Sequence, residues 1–177
     1  MKVFPGDRVG SVEEYKAGKG VYEEKSELFA SVAGLLRIKD RIVSVESFKK
    51  IPELKKGDIV LGRVVDVRNS FAMVEIARKK GEDRDLAYTG LGMLHISNVG
   101  EKIDNISSAI YYFDIVKARV IDSSPKLSIQ EKEMGVLKAY CSQCKSELNF
   151  EDGKLKCPSC NREERRKISE SYGKGEW

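Results

Sequence analysis

Apolar and polar residues alternate over much of the middle of the chain, a pattern that predicts short β-strands. Between residues 56 and 132, the segment IVLGRVVDV is rich in β-branched residues and the segment FAMVEI alternates in type. Three more strands are predicted for GMLHISNV, DIVKARVID and KLSIQ, and a helical turn is expected within residues 103–110. Five strands with a longer link between the third and the fourth predict a small all-β barrel of the OB-fold plan.

The first 52 residues predict a separate small β domain. Pro5–Asp7 and Ala17–Gly20 are turn signals, and short strands are predicted around residues 20–23, 27–37 and 41–45. The apolar spacing of LFASVAGLLRI also fits a helix, but Gly34 and the β-branched residues around it favour strands with a bulge. The predicted fold class is therefore mainly β.

Four cysteines near the end of the chain predict a metal site. Cys141, Cys144, Cys157 and Cys160 form two C-x-x-C pairs with 12 residues between them, and the sequence has no other cysteine. A hairpin between the pairs would bring the four thiolates together in a tetrahedral cage, so we predict a zinc ribbon over residues 137–167 with one structural Zn²⁺. Such a small lobe should be unfolded without its metal. Two disulfides, a redox C-x-x-C pair and an iron or iron–sulfur centre are the alternatives.

Composition and charge add little to these predictions of fold and metal site. Hydrophobic residues make up 41% and charged residues 34% of the chain, and the net charge of +4 is a mild indication of polyanion binding. Residues 56–133 hold 12 basic and 12 acidic side chains, so a nucleic-acid site there must sort its charges onto separate faces. Because no apolar run of 18 residues occurs and residues 1–6 lack a signal-peptide core, we expect a cytoplasmic protein.

The middle segment resembles the S1-type RNA-binding domain. GDIVLGRVVDV, FAMVEI, GMLHIS, DIVKARVID and KLSIQ follow the pattern of that family in order, over about 75 residues of this chain. The resemblance implies that His95, the sole histidine, contacts RNA by stacking on a base or donating to a phosphate. His95 has no second histidine for a metal site and no nucleophile signature for catalysis. A structural role at the barrel rim is the alternative.

The resemblance extends to other residues, with departures from the family pattern. Phe71 lies beside one of two aromatic positions of the family, and Met73 replaces the other. An Asp-x-x-x-Arg motif appears here as Asp122 and Lys126, where lysine retains the charge but loses the planar fork. These departures predict weak RNA binding by the domain alone. Phe71 and Met73 could equally be core residues.

Alternation along the fourth strand predicts a basic face. It places Val116, Ala118 and Val120 on one side, and Lys117 and Arg119 together on the other, where they could contact phosphates. A solvated barrel face without a ligand is the alternative.

The order of the three parts resembles the S1-domain and zinc-ribbon cap subunits of the archaeal RNA exosome. The N-terminal part contributes PGD, EEYKAGKGVY and FASVAG to this likeness, and the resemblance covers nearly the whole chain. It implies a non-catalytic subunit, present in three copies, that docks through residues 1–52 on a ring of RNase PH-like subunits. The subunit would hold single-stranded RNA at the entry pore for 3′-to-5′ phosphorolytic degradation by the ring.

Two other functions stay open from the sequence. A translation- or transcription-associated protein could also combine an OB-fold with a zinc ribbon. A metal nuclease needs clustered carboxylates, whereas the acidic residues here are interspersed with Lys and Arg. Residues 168–177 alternate in charge and are expected to form a flexible tail.

Overall fold

The architecture is that of a computed structural model, which describes residues 1–48, 52–84, 86, 90–122, 124–151 and 153–175. The chain forms two compact units, Met1–Lys50 and Ile51–Trp177. The sequence placed the end of the first part at residue 52, beside residues 49–51, which lie outside the described residues. No helix among the described residues has the length and apolar character needed to cross a membrane.

The first unit consists of seven short strands in two sheets, with orders β1-β6-β7-β3 and β2-β5-β4. Its core comprises Val3, Val9, Leu28, Ala30, Val43 and Val45. The segment with helical spacing forms two strands, as its β-branched residues favoured, with a bend at residues 31–33 between them. The strands are β1 (Lys2–Val3), β2 (Arg8–Ser11), β3 (Lys16–Ala17), β4 (Val21–Glu24), β5 (Glu27–Ala30), β6 (Gly34–Lys39) and β7 (Ile42–Ser47).

The second unit is built on a closed five-stranded barrel, as the sequence predicted. The strands follow the order β12-β10-β9-β8-β11, and β12 also pairs with β11 to close the barrel. Short 3₁₀ turns at Ile96–Asn98 and Ile106–Ser108 lie in the link after the third barrel strand, within which a helical turn was expected. The barrel strands are β8 (Ile59–Val67), β9 (Phe71–Lys79), β10 (Leu91–His95), β11 (Ile115–Val120) and β12 (Lys126–Ser128).

The interior of the barrel is filled by alternate residues of its strands. Val60 and Val64 of β8 and Val74 of β9 are almost fully buried. Gly62 lies between the two valines at a shift in the pairing of β8 with β9, where an added Cβ would lie 2.7 Å from the Glu75 carbonyl oxygen. A residue without a side chain therefore lets β8 approach β9 closely and bend.

A strand that the sequence did not predict flanks the barrel. β13 (Gly135–Lys138) pairs antiparallel with β11, so that β11 lies between β8 and β13. The ribbon follows as β14 (Asn149–Glu151), β15 (Lys154–Lys156) and β16 (Glu163–Glu164), in one antiparallel sheet. Leu148 and Leu155 of the ribbon belong to the same hydrophobic cluster as the barrel interior, so the two share one core.

The C-terminal segment is packed, in contrast to the flexible tail expected for residues 168–177. Ile168 bridges Val136 of β13, and the buried Ser169 donates its hydroxyl to the Glu133 carbonyl at 2.6 Å. The Tyr172 hydroxyl donates to the Leu148 carbonyl at 2.7 Å, which fastens the ribbon hairpin. The alternating charges of this segment gave no indication of these contacts, because they are made by backbone groups and a few small or aromatic side chains. Residues 176 and 177 lie outside the described residues.

Candidate nucleic-acid interface and metal centre

The outer surface of β9 and β10 brings together three of the residues predicted to contact RNA, Phe71, Met73 and His95. Phe71 and His95 are directly paired across the two strands, and Met73 pairs with Met93 one step further along. Their alternating neighbours, such as Leu94, are buried inside the barrel. Directly paired residues on one face have Cβ atoms about 4.5–5.5 Å apart. We call Phe71, Met73, Met93 and His95 the platform.

The imidazole of His95 is oriented by contacts to Ser97. Its Nδ1 accepts a hydrogen bond from the Ser97 backbone N–H at 3.3 Å and lies 2.8 Å from the Ser97 hydroxyl oxygen. The exposed ring can stack on a base or donate to a phosphate or carbonyl oxygen.

Lys126 continues the platform onto β12. It pairs with Met93, while the adjacent Leu127 points into the barrel. The Lys126 ammonium lies 3.1 Å from Asp122, and both side chains are about half exposed. A partly exposed ion pair contributes at most about 1 kcal/mol to stability, so the cation can exchange this partner for a phosphate at little cost. The Asp122 and Lys126 of the sequence motif are thus in contact, beside the platform.

The prediction that Lys117 lies on an exposed basic face of β11 is wrong. Lys117 is only 4% exposed, so its ammonium is not presented on an open outer face; within the sheet it pairs with Leu61 of β8 and Gly135 of β13. Arg119 is partly exposed, but it donates to both carboxylate oxygens of Glu131, at 2.6 and 2.7 Å. This bidentate pair raises the pKa of Arg119 and lowers that of Glu131. The two cations do not form one phosphate-binding face.

The structure adds a platform residue that the sequence reading did not select. Met93 lies between Met73 on β9 and Lys126 on β12, so it joins the aromatic pair to the cation. Alternation along GMLHIS contained the signal, because Met93 and His95 are two residues apart and must share a face.

The two C-x-x-C pairs form knuckles of matching geometry. In each, the first cysteine accepts at its carbonyl from the residue four positions on, at 3.1 Å for Lys145 and 2.9 Å for Asn161. Lys145 and Asn161 both have a left-handed backbone, with φ of 63° and 56°. The first cysteine N–H of each knuckle also donates five residues ahead, to Ser146 and Arg162. The same tight turn is therefore present in both knuckles, as the matching C-x-x-C spacing predicts.

The four sulfurs fit a tetrahedral metal ion. Their Sγ atoms all lie within 4.8 Å of one another, and three of the separations are 3.3, 3.6 and 3.8 Å. Tetrahedral thiolates at about 2.3 Å from a Zn²⁺ ion have sulfurs about 3.8 Å apart. The cysteines are free thiols, which disagrees with the two-disulfide alternative. The set can therefore bind a metal ion.

Hydrogen bonds and mutual proximity perturb two of the thiols in opposite directions. Ser146 bonds to the Cys144 sulfur through its hydroxyl and its N–H, which lowers the pKa of Cys144 to about 6. The Arg162 N–H lowers the pKa of Cys160, but the neighbouring thiols outweigh it and raise that pKa to about 12. Four thiolates at these distances need a cation between them to be ionised together.

A buried charge cluster of Asp114, Glu164 and Arg166 joins the ribbon to the barrel. Arg166 donates from Nε to Asp114 at 2.8 Å and from an Nη to Glu164 at 2.6 Å. Glu164 in turn accepts from the N–H and the hydroxyl of Ser142, inside the first cysteine knuckle. Burial raises the pKa of Asp114 to about 6, although Arg166 and two backbone N–H groups oppose it. The cluster therefore fixes the metal centre against the barrel.

Comparisons with known proteins match the two units separately. The profile of a family described as the exosome complex exonuclease RRP4 N-terminal region matches residues 3–39. The profile described as exosome component EXOSC1/CSL4 matches residues 51–132.

Whole proteins extend the likeness to the full chain. The exosome complex component Csl4 of Archaeoglobus fulgidus is 60% identical over 176 residues, which are 99% of this chain and 98% of that protein. The exosome complex component Rrp4 of Methanobrevibacter smithii is 26% identical over 137 residues, 75% of this chain and 43% of its own length. The corresponding Rrp4 of Methanothermobacter thermautotrophicus is 29% identical over 138 residues, 75% of this chain and 41% of its own length. With the barrel, the ribbon and the near full-length identity together, the chain belongs to the Csl4 family of exosome complex components.

Proposed function

We propose that the chain is a non-catalytic, RNA-binding cap subunit of an exosome, which holds single-stranded RNA at the entry pore of a ring of RNase PH-like subunits. The observation that carries the proposal is the 60% identity to a Csl4 component over nearly the whole of both proteins. Membership extends to the N-terminal unit and the ribbon, and is not confined to a barrel that occurs in many unrelated proteins. The cytoplasmic location expected from the sequence is part of the proposal.

The platform is the proposed RNA contact. Phe71 and His95 offer two adjacent rings on which bases can stack, and Lys126 offers a cation on β12, the strand next to β10. Stacking of a base on an aromatic side chain contributes about 1–3 kcal/mol and tolerates any base, which suits a protein that must accept many RNAs. Arg119 and Asp122 stay in the proposed RNA-binding set, where Asp122 is the ion-pair partner of Lys126 and Arg119 is paired with Glu131. The buried Lys117 is not proposed as a contact.

Three copies around one pore would compensate for weak individual sites. The barrel segment carries equal numbers of acidic and basic residues, so we expect modest RNA affinity from the isolated chain. Once an RNA is bound to one copy, its next segment meets a second copy at a high effective concentration, which is set by the length of RNA between the two sites. This raises the overall affinity without strengthening either site. The ring, and not this subunit, supplies the bond-breaking chemistry in the proposal.

The metal is proposed to be one Zn²⁺ ion with a structural role. A closed set of four cysteine sulfurs is the donor set typical of structural zinc, and it leaves no open position for water or substrate. When bound, the ion supplies the charge that holds four thiolates together, and the knuckles position Ser142 for its bonds to Glu164.

Native mass spectrometry with purified RNase PH-like ring subunits tests the assembly. The proposal expects a complex of the ring with three copies of this chain, and capture of ring subunits from extract. Co-sedimentation with ribosomes and no binding to the ring would instead favour a translation-associated protein. Degradation of labelled RNA by the chain alone, with added Mg²⁺ or Mn²⁺, would contradict the non-catalytic role.

Affinity measurements on the assembled complex test the platform. Phe71→Ala and His95→Ala should each weaken binding of single-stranded RNA by about 1–3 kcal/mol, because each removes a stacking surface. Phe150→Ala is the matched control, since Phe150 is also an exposed aromatic residue but lies on the ribbon strand β14. Equal RNA affinity for these three variants and the unsubstituted protein would contradict the platform as the RNA contact.

A further inference from the structure

We propose that a groove between the barrel and the ribbon is a second RNA site, which binds the phosphodiester backbone of the strand that leaves the platform. This inference rests on the proposed function and extends it to residues outside the platform. The groove is a cavity of about 510 Å³, a volume within the usual range of ligand sites. One wall is the link after β10, with Ser107, Ser108 and Tyr111, and the other is the ribbon, with Ser142, Arg162 and residues 163–166.

Buried contacts order the floor of the groove. Arg166 and Glu164 are 3% and 7% exposed and are joined at 2.6 Å. The guanidinium carbon of Arg166 lies 5.2 Å from the centre of the Tyr111 ring, and the Lys145 ammonium lies 5.7 Å from the same ring. These contacts hold the barrel wall against the ribbon wall, so a strand that enters the groove incurs little ordering cost.

The carboxylates that line the groove are already neutralised. Glu164 is paired with Arg166, and Glu163 lies 2.7 Å from Lys154 on the neighbouring strand β15. Because each carboxylate has a cation of its own, the groove presents little uncompensated negative charge to an approaching phosphate.

The cations at the rim are available to a ligand. The exposed guanidinium of Arg162 has no hydrogen-bond or ion-pair partner among the residues that the structure describes. Arg165 is 71% exposed and lies 3.0 Å from Glu101, a surface ion pair that is easily exchanged for a phosphate. The exposed Lys145 donates to a neutral group, the Ser142 carbonyl, at 3.0 Å. This surplus of positive charge favours a polyanion, and the planar fork of arginine matches a phosphate.

Ser107 adds a hydroxyl group suited to RNA. Within the described part of the chain its Oγ has no partner, whereas the Ser108 hydroxyl donates to the Asn105 carbonyl at 2.8 Å. A free hydroxyl can donate to a phosphate oxygen or bond to a ribose 2′-hydroxyl. The combination of hydroxyl and guanidinium groups therefore fits a ribonucleotide backbone better than an acidic peptide.

The groove begins close to the platform. The Ile106 N–H donates to the Asn69 carbonyl at 3.1 Å, so Ser107 lies beside the turn that leads into Phe71. These connections put the Cα atoms of Phe71 and Ser107 at most about 17 Å apart. Because an OB-fold site accommodates about 4–16 nucleotides, one strand can occupy the platform and the groove together.

The test measures RNA affinity of the assembled complex at several salt concentrations, with single-stranded oligonucleotides of about 4 and about 12 nucleotides as probes. Arg162→Gln should weaken binding of the longer RNA about 3- to 10-fold and reduce its slope of log K against log salt by about 0.7, the value for one phosphate contact to a single strand. The shorter RNA should be unaffected, because the platform alone can hold it.

A second variant approaches the groove from the barrel. Ser107→Glu places a negative charge on the wall opposite Arg162 and should weaken binding of the longer RNA at least as much as Arg162→Gln does. Ser107 is distant in sequence from the cysteines, whereas Arg162 follows Cys160 by two positions. A zinc content equal to that of the unsubstituted protein shows that Arg162→Gln retains the metal centre.

Lys132→Gln is the matched control. Lys132 is exposed in the same unit, its ammonium also has no partner in the described ranges, and it does not line the groove. Its substitution removes one positive charge and should leave the affinity and the salt slope unchanged for both RNA lengths.

Three results would overturn the inference. The first is unchanged binding of the longer RNA in both Arg162→Gln and Ser107→Glu, and the second is a loss in Lys132→Gln equal to that in Arg162→Gln. The third is competition by polyglutamate as strong as that by unlabelled RNA, which would assign the groove to an acidic protein.

The platform variants distinguish this failure from failure of the proposed function. Phe71→Ala and His95→Ala should weaken binding of both RNA lengths. Weaker binding in these two variants, with no effect of the groove variants, would contradict only the groove. No effect in any of the four variants would contradict both the platform and the groove.

Discussion

Replacing Arg166 by Met tests the buried charge cluster between the barrel and the ribbon. The Arg166 side chain is 3% exposed, and its partners Asp114 and Glu164 are 0% and 7% exposed. The substitution keeps an elongated apolar side chain but leaves two carboxylates buried without their cation. Loss of one partner from a buried ion pair costs about 3–5 kcal/mol, so we expect a loss of that size in the free energy of unfolding of the second unit.

The neighbouring residue is the control. Arg165 is 71% exposed and lies 3.0 Å from a single partner, Glu101. Because an exposed ion pair contributes about 0–1 kcal/mol, Arg165→Met should lower the stability by no more than about 1 kcal/mol. The contrast between adjacent arginines depends on burial, since both substitutions remove one positive charge from the same segment.

Urea unfolding of the zinc-loaded protein, followed by amide signals of β11 and β15, gives the measurement. Adding Asp114→Asn to Arg166→Met should recover part of the loss, because it removes one of the uncompensated charges. Losses in Arg166→Met and Arg165→Met that agree within about 0.5 kcal/mol, or no recovery in the double variant, would refute the reasoning.

Three further predictions follow from the same unit. Because burial raises the pKa of Asp114 to about 6, the folded state holds a proton on Asp114 that the unfolded state releases at lower pH. The free energy of unfolding, relative to Asp114→Asn, should therefore be about 2 kcal/mol larger at pH 4 than at pH 7 and should fall as pH rises through 6. Urea midpoints at both pH values measure this, and a difference from Asp114→Asn that stays constant with pH would contradict it. Chelation of the metal, or Cys141→Ser, should abolish amide protection in the ribbon but not in β1–β7, where hydrogen exchange would reveal any loss. Gly62→Ala should cost about 1–3 kcal/mol in thermal unfolding, since its Cβ would meet the Val74 side chain and the Glu75 carbonyl; an unchanged midpoint would show that β8 has room to move.

The barrel and the cysteine knuckles could be predicted because each depends on local sequence patterns. β8 begins and ends at the predicted residues, since its β-branched residues lie between Gly57 and the turn at Asn69. The knuckles follow from the spacing of the cysteines, which fixes the backbone turn almost without reference to the rest of the chain. Fold class and family were therefore accessible before any coordinates.

Contacts between segments that are distant in the sequence could not be predicted from it. GVLK gives little strand signal on its own, and β13 forms because β11 offers a free edge on one side and Ile168 bridges it on the other. The burial of Lys117 was not predicted either, because alternation predicts which residues share a face but not whether that face is exposed. The ion pair of Arg166 was not predicted for the same reason, as nothing in its local sequence indicates Asp114 52 positions earlier.

The platform lies between these two cases. The S1 pattern identified Phe71 and His95 but left open whether Phe71 was a core residue, and their direct pairing depends on the register of β9 against β10. That register also joins Met93 to Lys126 and makes a continuous surface from residues that are up to 55 positions apart, from Phe71 to Lys126 (126 − 71).

Photo-crosslinking of single-stranded RNA to the assembled complex, with the cross-linked peptides identified by mass spectrometry, shows which subunit contacts the RNA. We expect cross-links at Phe71 and His95 on the platform, competed by unlabelled RNA and retained when the ring is catalytically inactive. Cross-links confined to the ring, or to the ribbon of this chain, would contradict the claim that the barrel of this subunit holds the RNA.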